Sequence, residues 1–173
     1  MTNWRIVIGD ILDQPAEILV CSANPFLTLS GGVGGAFLLR YGALMQEQLQ
    51  AHLDRLGVRH VPPETVVCMP PCNSPYHAVL HAVAVDGFYE SSPAAITRVV
   101  RQIMTIAVQR KAASVVMPAL ATGYGHLSMA DFIEALRPLR ETLDGPARMI
   151  LCLKREEDAI LARKVLEIAD TSG

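Results

Sequence analysis

The sequence carries no excess of basic charge: fifteen Lys and Arg stand against seventeen Asp and Glu, a formal net charge of -2. Such a balance leaves no electrostatic footprint for a phosphate backbone, so direct nucleic-acid binding is not expected. Long apolar runs are also missing. The longest near-continuous one, Ala78 to Val85, falls far short of the roughly 20 residues that cross a bilayer, so no membrane role is expected. The opening residues Met1-Thr2-Asn3-Trp4-Arg5 lack a basic region followed by an apolar stretch of about 7 to 15 residues; without a secretory leader, a cytoplasmic location is expected. Cysteine is scarce, and Cys21, Cys68 and Cys152 sit in apolar strand-like runs where a reduced thiol behaves as a small hydrophobe. Cys68 and Cys72 form a C-x3-C pair near His77 and His81. Two prolines separate the pair and no second pair follows at a zinc-site spacing, so neither a metal nor a cofactor is expected.

What is present is a 173-residue chain, 51% apolar and 18% charged, which excludes disorder and suits one domain spanning residues 1–173 with a sizeable core. No linker or low-complexity tract interrupts it. Short apolar runs alternate with helical patterns throughout. Arg5 to Ile8, Ile18 to Cys21, Val66 to Met69, Ala78 to Val85, Ser114 to Met117 and Met149 to Leu153 read as strands. Several of these lack polar alternation, which predicts a sheet covered by helices on both faces. One long helix is expected from Gly32 to about Leu56, with Phe37, Tyr41, Leu44, Met45 and Leu49 on one stripe. Ser92 with Pro93 starts a second helix, Ser128 with Asp131 a third that Pro138 ends or kinks, and Glu156, Glu157 and Asp158 the first turn of a fourth.

Glycines and small polar residues concentrate where strands hand over to helices, which is where open α/β sheets bind ligands. Gly9-Asp10-Ile11 follows the first strand and offers a carboxylate that can accept hydrogen bonds from an exocyclic amine or a hydroxyl. Ser22-Ala23-Asn24 follows the second. Shortly after it, Gly31-Gly32-Val33-Gly34-Gly35-Ala36 opens the long helix, with glycines at four of five positions where backbone N–H groups and the helix dipole favour an anion. The segment lacks the Lys-Ser/Thr of an NTP-binding P-loop. Nor is it a dinucleotide GxGxxG turn with an acidic residue about 20 positions on. Thr122-Gly123-Tyr124-Gly125-His126 forms a second backbone nest beside a hydroxyl, an aromatic ring and an imidazole. Two anion-receptive loops on one sheet edge suggest a diphosphate. His77 and His81, four apart in a strand, share a face and are expected as buried, hydrogen-bonded imidazoles, and Asp86-Gly87 as a turn.

Gly9-Asp10-Ile11, Val20-Cys21-Ser22-Ala23-Asn24, Gly31 to Ala36 and Pro118-Ala119-Leu120-Ala121-Thr122-Gly123-Tyr124-Gly125 together resemble, in order and spacing, the four signatures of the macrodomain, an ADP-ribose-binding module. The resemblance implies a three-layer α/β/α fold around a mixed, mostly parallel sheet of six or more strands. It implies that Asp10 takes the adenine amino group with the Ile11 backbone nearby, and that Asn24, with Ser22 beside it, positions the distal ribose and is the candidate catalytic residue. Gly31, Gly32, Val33, Gly34, Gly35 and Ala36 would line the diphosphate and distal ribose, Thr122, Gly123, Tyr124, Gly125 and His126 would clamp the other side of the phosphates, and Tyr124 would cover the distal ribose. The implied partner is ADP-ribose or an ADP-ribosylated protein. The implied ligand is ADP-ribose, a mono-ADP-ribosyl group, O-acetyl-ADP-ribose or ADP-ribose 1''-phosphate. Hydrolysis of the distal-ribose linkage by water activated on a substrate phosphate, non-catalytic reading, and binding of another nucleotide all stay open. This chain departs from the family pattern at several places, and its Thr122-Gly123-Tyr124-Gly125 signature is shorter than the common Thr-Gly-x-Tyr/Phe-Gly form. Cys21-Ser22-Ala23-Asn24 replaces the common Asn-Ala-Ala-Asn, Gly34 stands where some hydrolytic members carry Asp, and Lys154 and Arg155 fall where an aromatic ring often stacks on adenine.

Overall fold

Aliphatic and β-branched runs form six strands: β1 (Asn3–Ile8), β2 (Ile18–Ala23), β3 (Val66–Met69), β4 (Ala78–Val83), β5 (Ser114–Met117) and β6 (Arg148–Leu153). In the computed structural model, which describes residues 1–169, they make one sheet in the order β1-β6-β5-β2-β4-β3. Only β3, paired with β4, runs antiparallel; the other neighbours are parallel, with Ile6 opposite Leu151, Val116 opposite Ile150 and Val20 opposite Leu80. The parallel strands therefore end on one edge, and the strand-to-helix loops gather there.

Five helices cover the sheet: α1 (Gly32–Tyr41), α2 (Leu44–Leu56), α3 (Pro93–Gln109), α4 (Met129–Leu136) and α5 (Glu156–Val165). Side-chain alternation along each strand sends residues to two cores. Ile6, Val20, Leu80, Val115 and Leu151 meet Val100 and Ile103 of α3, Phe132 of α4 and Ala159 of α5. Leu19, Cys21, Val79, Val116 and Ile150 meet Phe37 of α1 and Met45, Leu49 and Leu53 of α2. The result is the three-layer α/β/α arrangement with a mixed, mostly parallel sheet. Two helix starts are capped as their sequences predict. The Ser92 hydroxyl accepts from the Ala95 N–H at 3.2 Å and the Ser128 hydroxyl from the Asp131 N–H at 3.1 Å, each worth about 1 kcal/mol.

The expected long helix is two. The chain leaves α1 at Gly42, whose φ of 88° no helix accommodates, and re-enters a helix at Leu44. The apolar stripe continues through the break, which is why periodicity alone joins the pieces. Strand β4 ends at Val83 rather than Val85, and Pro138 sits inside a 3-10 turn, Arg137–Leu139, that extends α4. Among the described residues no helix is long and apolar enough to cross a membrane.

Candidate ligand-binding site

A cavity of about 690 Å³ opens at the edge where β2, β5 and β6 end, within the size range of small-molecule sites. Its two lips are the glycine segment leading into α1 and the loop between β5 and α4.

The first lip is braced from several directions. Asn24, just past β2, donates from Nδ2 to the Thr28 carbonyl at 3.1 Å and accepts from the Thr28 N–H at Oδ1 at 3.3 Å, closing the 24–28 loop. One N–H of the amide remains for a ligand. Gln46 of α2 reaches the same loop, accepting from the Leu29 N–H at 2.7 Å and donating to the Leu27 carbonyl at 3.1 Å. Gly31 and Gly32, with φ of 66° and 51°, then turn the chain into α1, which begins without a side-chain cap. The positive end of α1 is therefore set at the cavity wall.

The second lip requires its glycine for close approach. A Cβ at Gly125 would overlap the Ala121 carbonyl, the same oxygen that accepts from the Leu127 N–H at 3.2 Å. Across the opening, a Cβ at Gly31 would lie 2.6 Å from the Tyr124 hydroxyl, so the Tyr124 ring rests on the first lip while remaining 71% exposed. The loop after β4 supports this lip from outside. The Asp86 carboxylate accepts from the N–H groups of Phe88 and Glu90 in the expected turn, and the Tyr89 carbonyl accepts from the His126 N–H at 3.1 Å.

Most expected site residues converge here. Ser22, Asn24, residues 31–34 and residues 122–125 all line the cavity. Gly35, Ala36, Asp10, Ile11 and His126 do not. Gly35 and Ala36 are already inside α1, and the Gly35 N–H donates to the Gly31 carbonyl at 2.8 Å. His126 turns outward, its Nδ1 2.7 Å from Glu90 Oε1, and ties the second lip to the β4–α3 loop. Asp10 caps a 3-10 turn, accepting from the Leu12 N–H at 2.9 Å, and its second oxygen lies 3.0 Å from Arg40 of α1, which also pairs with Asp13 at 2.8 Å. Ile11 is buried in the core beneath. Asp10 nonetheless adjoins the cavity, because the Gly9 N–H donates to the carbonyl of Leu153, a lining residue, and the Cys152 thiol lies 3.5 Å from the Gly9 carbonyl.

Lys154, Arg155 and Asp158 complete this end, the Arg155 Nε 3.3 Å from the Asp158 carboxylate. Burial pushes the Cys152 thiol up to about 11, with Asp10 adding to the rise and Lys154 opposing it. The sequence reading missed Gln46, Tyr89 and the Arg40 pairing, all long-range partners without a local signal.

The histidine expectation fails for His77 and holds only in part for His81. His77 is exposed, its Nδ1 4.0 Å from the Glu17 carboxylate, because β4 begins one residue later. His81 is buried as expected, yet neither ring nitrogen has a hydrogen-bond partner.

The family model described as Macro domain matches residues 20–136, more than half the chain. The chain belongs to the Macro domain family. Among curated proteins, this macrodomain is similar to an uncharacterized protein of Thermococcus kodakarensis, 23% identical over 172 residues covering 91% of this chain and 96% of that one. It is also similar to an uncharacterized protein of Sulfurisphaera tokodaii, 28% identical over 123 residues, 70% of this chain and 66% of that one. Among solved structures, an Oceanobacillus iheyensis macrodomain mutant with ADPR superposes with a TM-score of 0.82 at 20% identity, over 94% of this chain and 90% of that one. A Trypanosoma brucei macrodomain in complex with ADP-ribose gives 0.79 at 17%, over 93% and 68%.

Proposed function

We propose that the cavity binds ADP-ribose, free or as the ADP-ribosyl group on a protein, and reads it without chemistry of its own. The observation that carries this reading is the meeting of Tyr124 with Gly31 over the uncapped start of α1. A diphosphate laid there would meet backbone N–H groups and the positive helix end on one side and the nest at residues 122–125 on the other. The distal ribose would then fall against Asn24 and Tyr124, and the base would extend toward the ends of β1 and β6 beside Asp10. The Oceanobacillus iheyensis macrodomain mutant with ADPR and the Trypanosoma brucei macrodomain in complex with ADP-ribose share this fold, which supports ADP-ribose as the ligand.

Reading is favoured over hydrolysis by what lines the cavity. Asp158 is the one carboxylate among the described lining residues, and Arg155 holds it. Gly34, buried in the first lip, places no acid near the ribose. Calorimetric titration with ADP-ribose, ADP and AMP tests the binding: micromolar affinity for ADP-ribose that weakens when the distal ribose is absent is expected, and no binding contradicts the reading. Incubation with a mono-ADP-ribosylated protein is expected to release nothing above the uncatalysed rate. Release would instead point to water activated by a substrate phosphate.

A further inference from the structure

The fixed charges of the cavity lining gather at one end. Lys154 and Arg155, the two residues after β6, stand there against a single lining carboxylate, Asp158, in a chain whose formal net charge is -2. The two cations are not equivalent. Arg155 is engaged twice, its Nε 3.3 Å from the Asp158 carboxylate and its Nη2 against Glu157. Lys154 is exposed and, among the described residues, has no carboxylate within ion-pair distance. Its ammonium is near enough to the Cys152 thiol, another lining group two residues back, to oppose the upward push that burial gives that thiol. The Asp10 carboxylate acts on the same thiol in the opposite sense, but Arg40 and the Leu12 N–H already hold it. Lys154 is thus a cation in the cavity wall whose charge the protein itself leaves unmatched.

Neighbouring strands lie about 4.8 Å apart, so with β5 between them β6 ends about 10 Å from β2. A diphosphate seated on the glycine lips leaves Lys154 beyond its reach, whereas the adenosine attached to it extends to that end. Base and ribose hydroxyls are neutral and give an ammonium no charge to pair with. A phosphate ester on that ribose does, and an ammonium on a flexible stem holds phosphate as a point charge, without a fixed fork geometry. We infer that Lys154 is a specificity residue for a phosphate ester on the adenosine ribose, so that the cavity takes a 2'- or 3'-phosphorylated ADP-ribose in preference to ADP-ribose itself. Arg155, already held by Glu157 and Asp158, borders the same position and adds less. The competing use of Lys154, its ammonium over the adenine face, would act equally on phosphorylated and unphosphorylated ligands. The inference rests on the proposed orientation of the nucleotide, with the diphosphate at the lips and the base toward β6.

Calorimetric titration with ADP-ribose and with ADP, each beside its 2'- and 3'-phosphorylated forms, provides the test. For each parent, wild type is expected to bind one of the two esters about 5-fold tighter, the scale of one solvent-exposed charge pair, and the tighter ester shows which hydroxyl carries the phosphate. The gain is expected to shrink as ionic strength rises from about 0.05 to 0.5 M. Lys154→Ala is expected to abolish it and Lys154→Arg to keep it; the side chain is exposed, so both variants should fold. Esters that bind no tighter than their parents would overturn the inference and, with ADP-ribose bound, leave the binding reading standing. A gain that survives in Lys154→Ala, or an equal loss of every ligand in that variant, would also overturn it. A gain among the ADP ligands without any binding of ADP-ribose would remove the ADP-ribose reading and keep the phosphate site. No binding of any ligand would overturn both.

Discussion

Where β2 and β5 end, the cavity is walled by glycines, backbone amides and the loop-closing amide of Asn24, whereas at its other end, where β6 finishes next to β1, Lys154 and Arg155 line it and Asp10, Asp13 and Arg40 lie alongside. The first region is shaped by steric demands that only particular residues meet. Gly125 sits against the Ala121 carbonyl and Gly31 against the Tyr124 ring. The second is held by exposed ion pairs, which solvent screens and which contribute little each. A ligand lying across both should therefore draw most of its specificity from the glycine-lined end, with the charged end tuning it. That asymmetry can be broken or sharpened by substitution.

The largest effect is expected at the second lip. Gly125→Ala forces a Cβ into the Ala121 carbonyl and should lower ADP-ribose affinity on the order of 100-fold, about 2.7 kcal/mol, by titration, with the thermal midpoint confirming that the fold survives. Next comes His81, buried within β4. The folded pKa of His81, about 4, lies below its ordinary value of 6.5, so between those two pH values the unfolded chain takes up a proton that the native protein refuses. This group leaves wild-type stability unaffected above pH 6.5 and lowers it as pH falls toward 4; in denaturant unfolding, wild type should lose stability relative to His81→Leu over that window. A gap that stays constant with pH would contradict it.

Asn24→Ala removes both Asn24–Thr28 hydrogen bonds that close the 24–28 loop, together with the amide proposed to meet the ligand, and is expected to weaken ADP-ribose about 10-fold. Asp10→Ala, at the charged end, should weaken it by only about 3-fold, because the carboxylate lies outside the lining and is already engaged by Arg40 and the Leu12 N–H. Should Asp10→Ala match or exceed Asn24→Ala, the asymmetry would be reversed; no effect at all would show that the family's adenine contact does not operate here. The smallest change is expected for Arg40→Ala, less than about 1 kcal/mol in unfolding stability, since its pairs with Asp10 and Asp13 are solvent-exposed.

The same contrast explains what the sequence revealed. All six strands lie where apolar runs place them, and Ser92 and Ser128 cap their helices, because these depend on neighbours a few residues away. The two lips were legible for a related reason: glycines clustered at a helix start have few purely structural explanations. The break at Gly42 was hidden because the apolar stripe of α1 resumes in α2, and a lone glycine is tolerated in a helical pattern. Gln46 bracing Leu27 and Leu29, His126 pairing with Glu90, and Arg40 drawing in Asp10 and Asp13 join residues far apart in sequence, for which spacing holds no signal. His81 looked like an ordinary core histidine because alternation predicts burial but is silent on whether a partner waits inside.

The most direct test of the account is calorimetric titration of the wild-type chain with ADP-ribose beside ADP. Micromolar binding of ADP-ribose, several-fold tighter than ADP, is expected if Asn24, Tyr124 and the glycine lips hold the distal ribose as proposed. Equal affinity for the two ligands, or none for either, would contradict it.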